Sequence, residues 1–368
     1  MVFANKPVLV FWETTRACPL NCVHCRADAI ENPLPGELTT EEGKSFIDQV
    51  ATFGKPAPLI IFTGGDPLKR KDLYELLAYA RSMEINFAVS PAVSESLTQH
   101  VLERLKLSGV SSISVSLDGA EKSTHDSIRK LGGTYDRTIE IIRKATAMGL
   151  PIQVNSVVME QNISELPAMF KLLSDLGIRT WEVFFLIKTG RGSEVRDISA
   201  RDSESVCNFL YDVSKRNMVV RTVEAPFIRR VAKQRMADDG YWRDATYLKM
   251  RSELASLDDG QRHASTIRPV GTLDGDGIVF VAHDGTISPG GLLPISVGNV
   301  KKDSLVEVYK NNDIFAKIRG REIDGPCGEC TFRQECGGSR ARSYAYYENP
   351  LVTDPACFHA QEMLAAKQ

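Results

Sequence analysis

Residues 18–25 read CPLNCVHC, which places Cys18, Cys22 and Cys25 on one short segment between the apolar run VLVFWETT (8–15) and a polar stretch beginning RADAIENPLPG. Three thiols is an awkward number. A structural zinc site wants four tetrahedral ligands, a disulfide two and a fully ligated iron–sulfur cluster four. On a loop leaving a buried strand, Cys-x₃-Cys-x₂-Cys can instead wrap three corners of a cubane [4Fe–4S] cluster, with the fourth iron left to a small molecule. A zinc knuckle is the competing reading, but no fourth cysteine or suitably spaced histidine completes it. His24, between the second and third cysteines, should point away from the metal.

Working outward, β-rich apolar runs alternate with helical patterns from residue 8 to 187. The strand candidates are VLVFWETT (8–15), PLIIFTGG (58–65), INFAVS (85–90), SISVSLDG (112–119), IQVNSVVM (152–159) and WEVFFLI (181–187). Several are apolar at nearly every position, as parallel strands covered on both faces are. The segments between them carry apolar residues at helical spacing, and four of the five end at or near a glycine. Such alternation predicts right-handed βαβ crossovers. Six units make an α/β fold with an open, partial (β/α)6 barrel. Ligands gather at the C-terminal ends of such strands, where CPLNCVHC, TGGD and SLD all fall.

The chain has 368 residues, 43% hydrophobic and 25% charged, enough for a large core and a second, smaller unit. A formal net charge of −2 gives no electrostatic reason to expect nucleic acid or an anionic membrane as partner. The apolar runs are too short to span a bilayer, and MVFANKPVLVFWE does not read as a signal peptide, so a cytoplasmic protein is expected. Eight cysteines in that setting argue against a disulfide framework. Besides the first three, Cys327, Cys330, Cys336 and Cys357 gather near the C-terminus, while Cys207, inside SVCNFLYDV, reads as a buried core thiol. Four thiolates can saturate a second [4Fe–4S] cluster or hold one zinc ion. Boundaries are expected at 1–222 for the barrel, 223–265 for a helical linker and 266–368 for a small C-terminal α+β unit. The mixed charges of the linker suggest a solvated connecting segment rather than a substrate lid. GIVFVAHDGTISPGG suggests a β-hairpin turning at Asp284-Gly285.

The first motif carries a family resemblance. Cys18, Cys22 and Cys25 in CPLNCVHC match the signature of radical S-adenosylmethionine (SAM) enzymes. The resemblance implies that these cysteines hold a [4Fe–4S] cluster whose open iron is chelated by the amino and carboxylate groups of exchangeable SAM. It implies an oxidoreductase in which the reduced cluster passes an electron to the sulfonium and a 5′-deoxyadenosyl radical takes hydrogen from substrate. The protein then supplies position, redox tuning and exclusion of water. A low-potential electron donor such as ferredoxin or flavodoxin is implied as partner. In that family the residue before the last cysteine, here His24, lies beside the adenine. Thr63-Gly64-Gly65-Asp66-Pro67 resembles the GGE motif whose backbone receives the SAM amino group, with Asp66 where glutamate is commoner. Ser116 and Asp118 in SLDG resemble the strand-four polar pair near the SAM carboxylate and ribose. Asn155 in VNSVV and Arg129 in HDSIRK are further candidate contacts, although Asp118 could equally be a turn residue before Gly119.

The C-terminal segment resembles the SPASM/twitch extensions of such barrels, with CGGSRARSYA and DPAC as the matching stretches. That resemblance implies one auxiliary [4Fe–4S] cluster on Cys327, Cys330, Cys336 and Cys357. Relatives with two carry further cysteines; here the hairpin DGTISPGGLLPISVGNV has none, and Ser339 stands where they often have cysteine. WETTRAC, GGDPL, ISVSLDGA and TGRG look most like the branch of alternative and dissimilatory heme synthesis. The expected reaction is therefore side-chain modification of a tetrapyrrole, such as oxidative decarboxylation in heme biosynthesis. Maturases of peptides or of tungsten or pterin cofactors share these motifs, and a non-catalytic iron–sulfur or zinc scaffold is the alternative from another class. Arg191 and the pair Arg229-Arg230 are candidates for binding porphyrin carboxylates.

Overall fold

The apolar runs that flank the cysteine segment become strands, and the patterns between them become helices. A computed structural model describes residues 3–257, 260 and 262–367. The chain begins β1 (Leu9–Glu13), α1 (Thr40–Ala51), β2 (Leu59–Thr63), α2 (Leu73–Ser82), β3 (Phe87–Val89), α3 (Gln99–Leu107), β4 (Ser112–Ser116), α4 (Lys122–Arg129), α5 (Thr134–Ala147), β5 (Ile152–Val158), α6 (Leu166–Asp175) and β6 (Thr180–Phe185). It continues with α7 (Ala200–Val213), β7 (Val219–Val223), α8 (Ile228–Ala237), α9 (Ala245–Leu257), β8 (Leu273–Asp274), β9 (Gly277–Val281), β10 (Thr286–Ser288) and β11 (Gly298–Asn299). Five helices close it: α10 (Leu305–Asn311), α11 (Asp313–Gly320), α12 (Pro326–Glu329), α13 (Arg340–Tyr347) and α14 (Phe358–Ala365).

Strands β1 to β7 pair in sequence order and in parallel, forming the expected half-barrel with one strand added. Local chemistry explains the helices. Thr39 and Glu42 cap each other's backbone N–H at the start of α1, a reciprocal capping box. Gly109 and Gly149 take left-handed φ of +85° and +63° just past α3 and α5, where a Cβ would be strained. One face of each strand packs on the helices: Trp12 is fully buried, with ring centroids 5.0 Å from Phe46 and 5.4 Å from Phe62. The alternate residues, including Glu13, Ser114, Ser116, Asn155 and Glu182, face the lumen, so the inner wall is polar.

Two features differ from the sequence reading. First, β7 was not foreseen, because VVRTV is short and exposes Val219 and Arg221; the expected boundary at 222 falls inside it. Second, the segment 223–265, of which residues 258, 259 and 261 lie outside the described residues, is not a solvated connector. Its helices bury Ile228, Val231, Tyr247, Met250 and Leu254, and its charges are paired inward, Arg230 with Glu204 and Arg235 with Asp212 (2.8 Å). A mixed-charge sequence can pack if its charges find partners, which composition does not reveal.

The predicted hairpin forms, with β9 and β10 antiparallel. In addition, β9 pairs in parallel with β1, from Leu9 opposite Ile278 to Trp12 opposite Val281. The C-terminal strands therefore extend the barrel's own sheet at its first strand. No helix among the described residues is long and apolar enough to cross a membrane.

Candidate active site

The loop leaving β1 folds back on itself. Cys18 N donates to Ile30 O (2.7 Å), Ile30 N to Arg16 O (3.1 Å) and Cys25 N to Cys22 O (3.2 Å). Cys18 and Cys22 are buried and Cys25 half-buried, close enough that Cys22 and Cys25 bear on the charge of Cys18. Every one of the three sulfurs receives a donor: Leu20 N on Cys18 (3.4 Å), Arg129 Nη1 on Cys22 (3.6 Å) and Ala29 N on Cys25 (3.5 Å). Burial, reinforced by the charge of Asp66, Cys22 and Cys25, pushes the Cys18 thiol up to about 12. Three such sulfurs together become thiolates only around a cationic core.

Residues 189–192 clamp this loop. Arg191 donates from Nε to Cys22 O (2.9 Å), from Nη1 to Ala29 O (3.1 Å) and from its backbone N to Cys25 O (3.1 Å). A Cβ on Gly190, already at φ +53°, would lie 2.5 Å from two loop carbonyls. Arg191 thus serves first as a clamp on the cluster loop, with Nη2 alone left unpartnered, which corrects its reading as primarily a substrate ligand. The physical reason is that a tight cysteine loop strands carbonyls that need a donor.

The TGGD turn closes against the same loop. Gly65 N donates to Thr15 O (2.8 Å) and Asp66 N to Ala17 O (2.7 Å). Cβ atoms on Gly64 and Gly65 would sit 2.3 and 2.4 Å from backbone oxygens of the loop, so both positions require glycine. Asp66 is buried; its Oδ1 accepts from Leu68 N (3.1 Å) and Ala92 N (3.3 Å), while Oδ2 has no partner. Burial raises its carboxyl to about 6.

Asp118 is fully buried at the end of β4. Its Oδ2 meets Arg129 Nη2 at 2.5 Å and lies 4.0 Å from His24 Nε2, while Oδ1 accepts from Val157 N (2.8 Å). Its backbone N donates to His125 Nδ1 (3.1 Å). Burial acts to raise this carboxyl, but Arg129, His24 and His125 together hold it below the usual range. His24 is neutral: burial lowers it to about 4, against the pull of Asp118. Ser116 and Asn155 are paired across β4 and β5 on the lumen wall, with Asn155 Oδ1 accepting from Gln153 Nε2 (2.8 Å). The structure therefore brings the first three cysteines, His24, Gly64, Gly65, Asp66, Asp118 and Arg129 into one region, with Ser116 and Asn155 beside it.

Two groups escaped the sequence reading. Glu13, the last residue of β1, binds Arg26 Nη2 (3.0 Å) and His283 Nδ1 (2.9 Å), and the Arg26 guanidinium stacks 4.7 Å over Phe280. A glutamate ending an apolar strand was the available signal. Farther along, Glu224 after β7 and Asp274 of β8 lie within hydrogen-bond reach of each other. Burial raises both carboxyls; Glu224 raises Asp274 further, while the bond from Asp274 pulls Glu224 down, so Asp274 holds the proton that the pair shares. The Ser339 hydroxyl donates to Glu224, and Gly290 of the hairpin lies against Asp274.

The second cysteine group encloses a cavity. Cys327, Cys330, Cys336 and Cys357 line this space together with Arg230, Phe332 and His359. Phe332 N donates to Cys330 Sγ and Gly338 N to Cys336 Sγ, both at 3.4 Å. Among the described residues no three His, Cys, Asp or Glu side chains converge on a single-ion position. Arg229 and Arg230 are not free for substrate either: Arg229 donates to Glu335 O and Thr272 O, and Arg230 is paired with Glu204. Cys207 is buried in α7, as expected of a core thiol.

On the loop after its first strand, the parallel half-barrel carries two buried thiols and one half-buried, each with an N–H donor, near a carboxylate with one unpartnered oxygen, an arrangement suited to an iron–sulfur enzyme. Residues 12–173 match the model of the radical SAM superfamily. The chain is 35% identical to the AdoMet-dependent heme synthase of Methanosarcina barkeri over 98% of both proteins. It is 27% identical to the pre-heme d1 synthase of Dinoroseobacter shibae, over 96% of this chain and 86% of that one. A crystal structure of SuiB from Streptococcus suis bound to its precursor peptide SuiA superposes with a TM-score of 0.69 at 15% identity, covering 96% of this chain and 76% of that one. The chain belongs to the radical SAM superfamily. It is an enzyme of that class, with a [4Fe–4S] cluster and SAM as its cofactors.

Proposed function

We propose that Cys18, Cys22 and Cys25 ligate the catalytic cluster and that the enzyme modifies a tetrapyrrole side chain, by oxidative decarboxylation of a propionate. When bound, the cluster and SAM supply the 5′-deoxyadenosyl radical that takes hydrogen from the substrate. The carrying observation is the set of three thiols, each with one N–H donor, together with Asp66, whose charge bears on Cys18 and whose Oδ2 is unpartnered. The remaining roles belong to the chain. Gly64 and Gly65 let the TGGD turn reach the loop, and Asp66 receives the SAM amino group. Asp118 acts through Arg129, which it holds against Cys22, leaving the buried Arg129 Nε for the SAM carboxylate. His24, neutral and mostly enclosed, is offered to the adenine, and Ser116 and Asn155 offer lumen contacts to the sugar. Cys327, Cys330, Cys336 and Cys357 hold one auxiliary [4Fe–4S] cluster. A low-potential carrier of the ferredoxin or flavodoxin type in the cytoplasm supplies electrons.

The substrate class is supported by the likeness along the whole chain to an AdoMet-dependent heme synthase. Reconstituted, reduced enzyme incubated anaerobically with a propionate-bearing iron porphyrin should form 5′-deoxyadenosine only when the porphyrin is present. The porphyrin should lose the mass of carbon dioxide and two hydrogens per side chain. Deoxyadenosine released with a precursor peptide but not with the porphyrin would reject the tetrapyrrole reading.

Asp66 gives binding a pH dependence. Its carboxyl in the free protein sits at about 6, and its ionised form is the one that accepts hydrogen bonds from the N–H groups of the SAM amino group. SAM affinity should hold steady above pH 6 and fall about tenfold per unit below it. Calorimetric titration across pH 5–8 would show that slope, and Asp66→Asn should flatten it.

A further inference from the structure

The cavity between the four C-terminal cysteines is walled by more positive charge than its carboxylates balance. Arg230 lines it and is paired with Glu204. Arg321, against Gly337, is paired with Asp276 at 2.8 Å. Asp354, whose charge also bears on Arg340, is taken by Arg342 at 3.3 Å. Arg229 and Arg340 have no ion-pair partner among the described residues. Arg229 spends Nη1 on Glu335 O (2.9 Å) and Nη2 on Thr272 O (3.2 Å). Arg340 spends Nη1 on Pro350 O (2.6 Å) and Val352 O (2.7 Å). Carbonyls satisfy N–H groups but cancel no charge, and a buried guanidinium without a counter-ion is costly.

The geometry says where these cations point. Arg340 is 3% exposed, and its Nη2 is buried without a partner, as is Nε of Arg230. A Cβ built on Gly338 would lie 2.6 Å from Arg340 Nη2 and 3.3 Å from Cys327 Sγ, so donor and sulfur flank the same bare glycine. Arg229 bears on Cys336 by charge. Arg333 lines the same space but is exposed to solvent, so the two less accessible guanidinia, Arg229 and Arg340, match the net charge of about two that four thiolates leave on a cubane core.

We propose that Arg229 and Arg340 are the counter-cations of the auxiliary cluster, that Arg340 Nη2 also donates a hydrogen bond to it, and that together they raise its reduction potential. This rests on the auxiliary-cluster reading above. A nearby positive charge favours the reduced, more negative state, and donors to the sulfurs act in the same direction.

The test uses full-length protein carrying Cys18→Ala, in which the C-terminal cluster can be titrated alone. Potentiometric titration followed by electron paramagnetic resonance should place Arg340→Gln at least tenfold toward the oxidised form, about 59 mV below the Cys18→Ala parent. Arg340→Lys, which restores the charge without the planar fork, should recover most of that shift, and Arg229→Gln should move the same way by less. A purely structural role for Arg340 would alter iron content without this charge-dependent order. An unchanged potential in Arg340→Gln at equal iron content overturns the proposal. If Arg340→Gln assembles no cluster, an unchanged potential in Arg229→Gln overturns it instead. Zinc, or no iron, in the Cys18→Ala parent would mean that the auxiliary-cluster reading itself has failed.

Discussion

Alanine at Cys18 is expected to abolish reductive cleavage of SAM while the rest of the molecule stays folded. Cys18 is the first of three ligands, and its sulfur is fixed by Leu20 N and by the backbone bridge to Ile30. No other thiol stands near enough to replace it: Cys207 lies in α7 and the remaining four surround their own cavity. Anaerobically reconstituted wild type should carry about eight irons and the variant about four. Deoxyadenosine formation after reduction should fall to the level of iron-free protein. Cys336→Ala should lose the other half of the iron and still cleave SAM. Wild-type cleavage by Cys18→Ala would mean that the radical chemistry had been placed at the wrong cysteines.

The largest expected loss of stability follows from Asp118→Ala. Removing that carboxylate strands Arg129 in a buried position, unpartners Val157 N, and takes away the charge beside His24. Breaking a buried pair by deleting one member costs about 3–5 kcal/mol, more than the pair itself contributes, because the survivor stays desolvated. Denaturation of iron-free protein should show a loss in that range. A companion Arg129→Met change should restore part of it, since the two effects are coupled. A loss below about 1 kcal/mol, the scale of an exposed pair, would mean that Asp118 is not the anchor described here.

How much of this could be read from residues depended on whether neighbours in sequence are neighbours in space. The six strands and the glycines that end the helices are local features, and they lie where periodicity puts them. The three cysteines are eight residues of chain and needed no fold to be grouped. The arginines were misjudged because their partners are carbonyls and carboxylates far along the chain. Arg191 reaches back to Cys22 and Ala29, and Arg230 reaches Glu204. Glu13 and His283 are separated by 270 positions and meet only because β9 lies beside β1. The same holds for Glu224 and Asp274, whose shared proton exists only once β7 and β8 have been folded together.

The pairing of β9 with β1 also decides what a shortened chain would be. Cut before residue 266, the half-barrel would keep α1 to α9 but would bare the amides and carbonyls of Leu9–Trp12 along one border. An open, flat, apolar border of that kind recruits other strands indiscriminately. The last hundred residues thus act as a selvedge that keeps the first strand from fraying into aggregates, and the stem of the cysteine loop owes its rigidity to them.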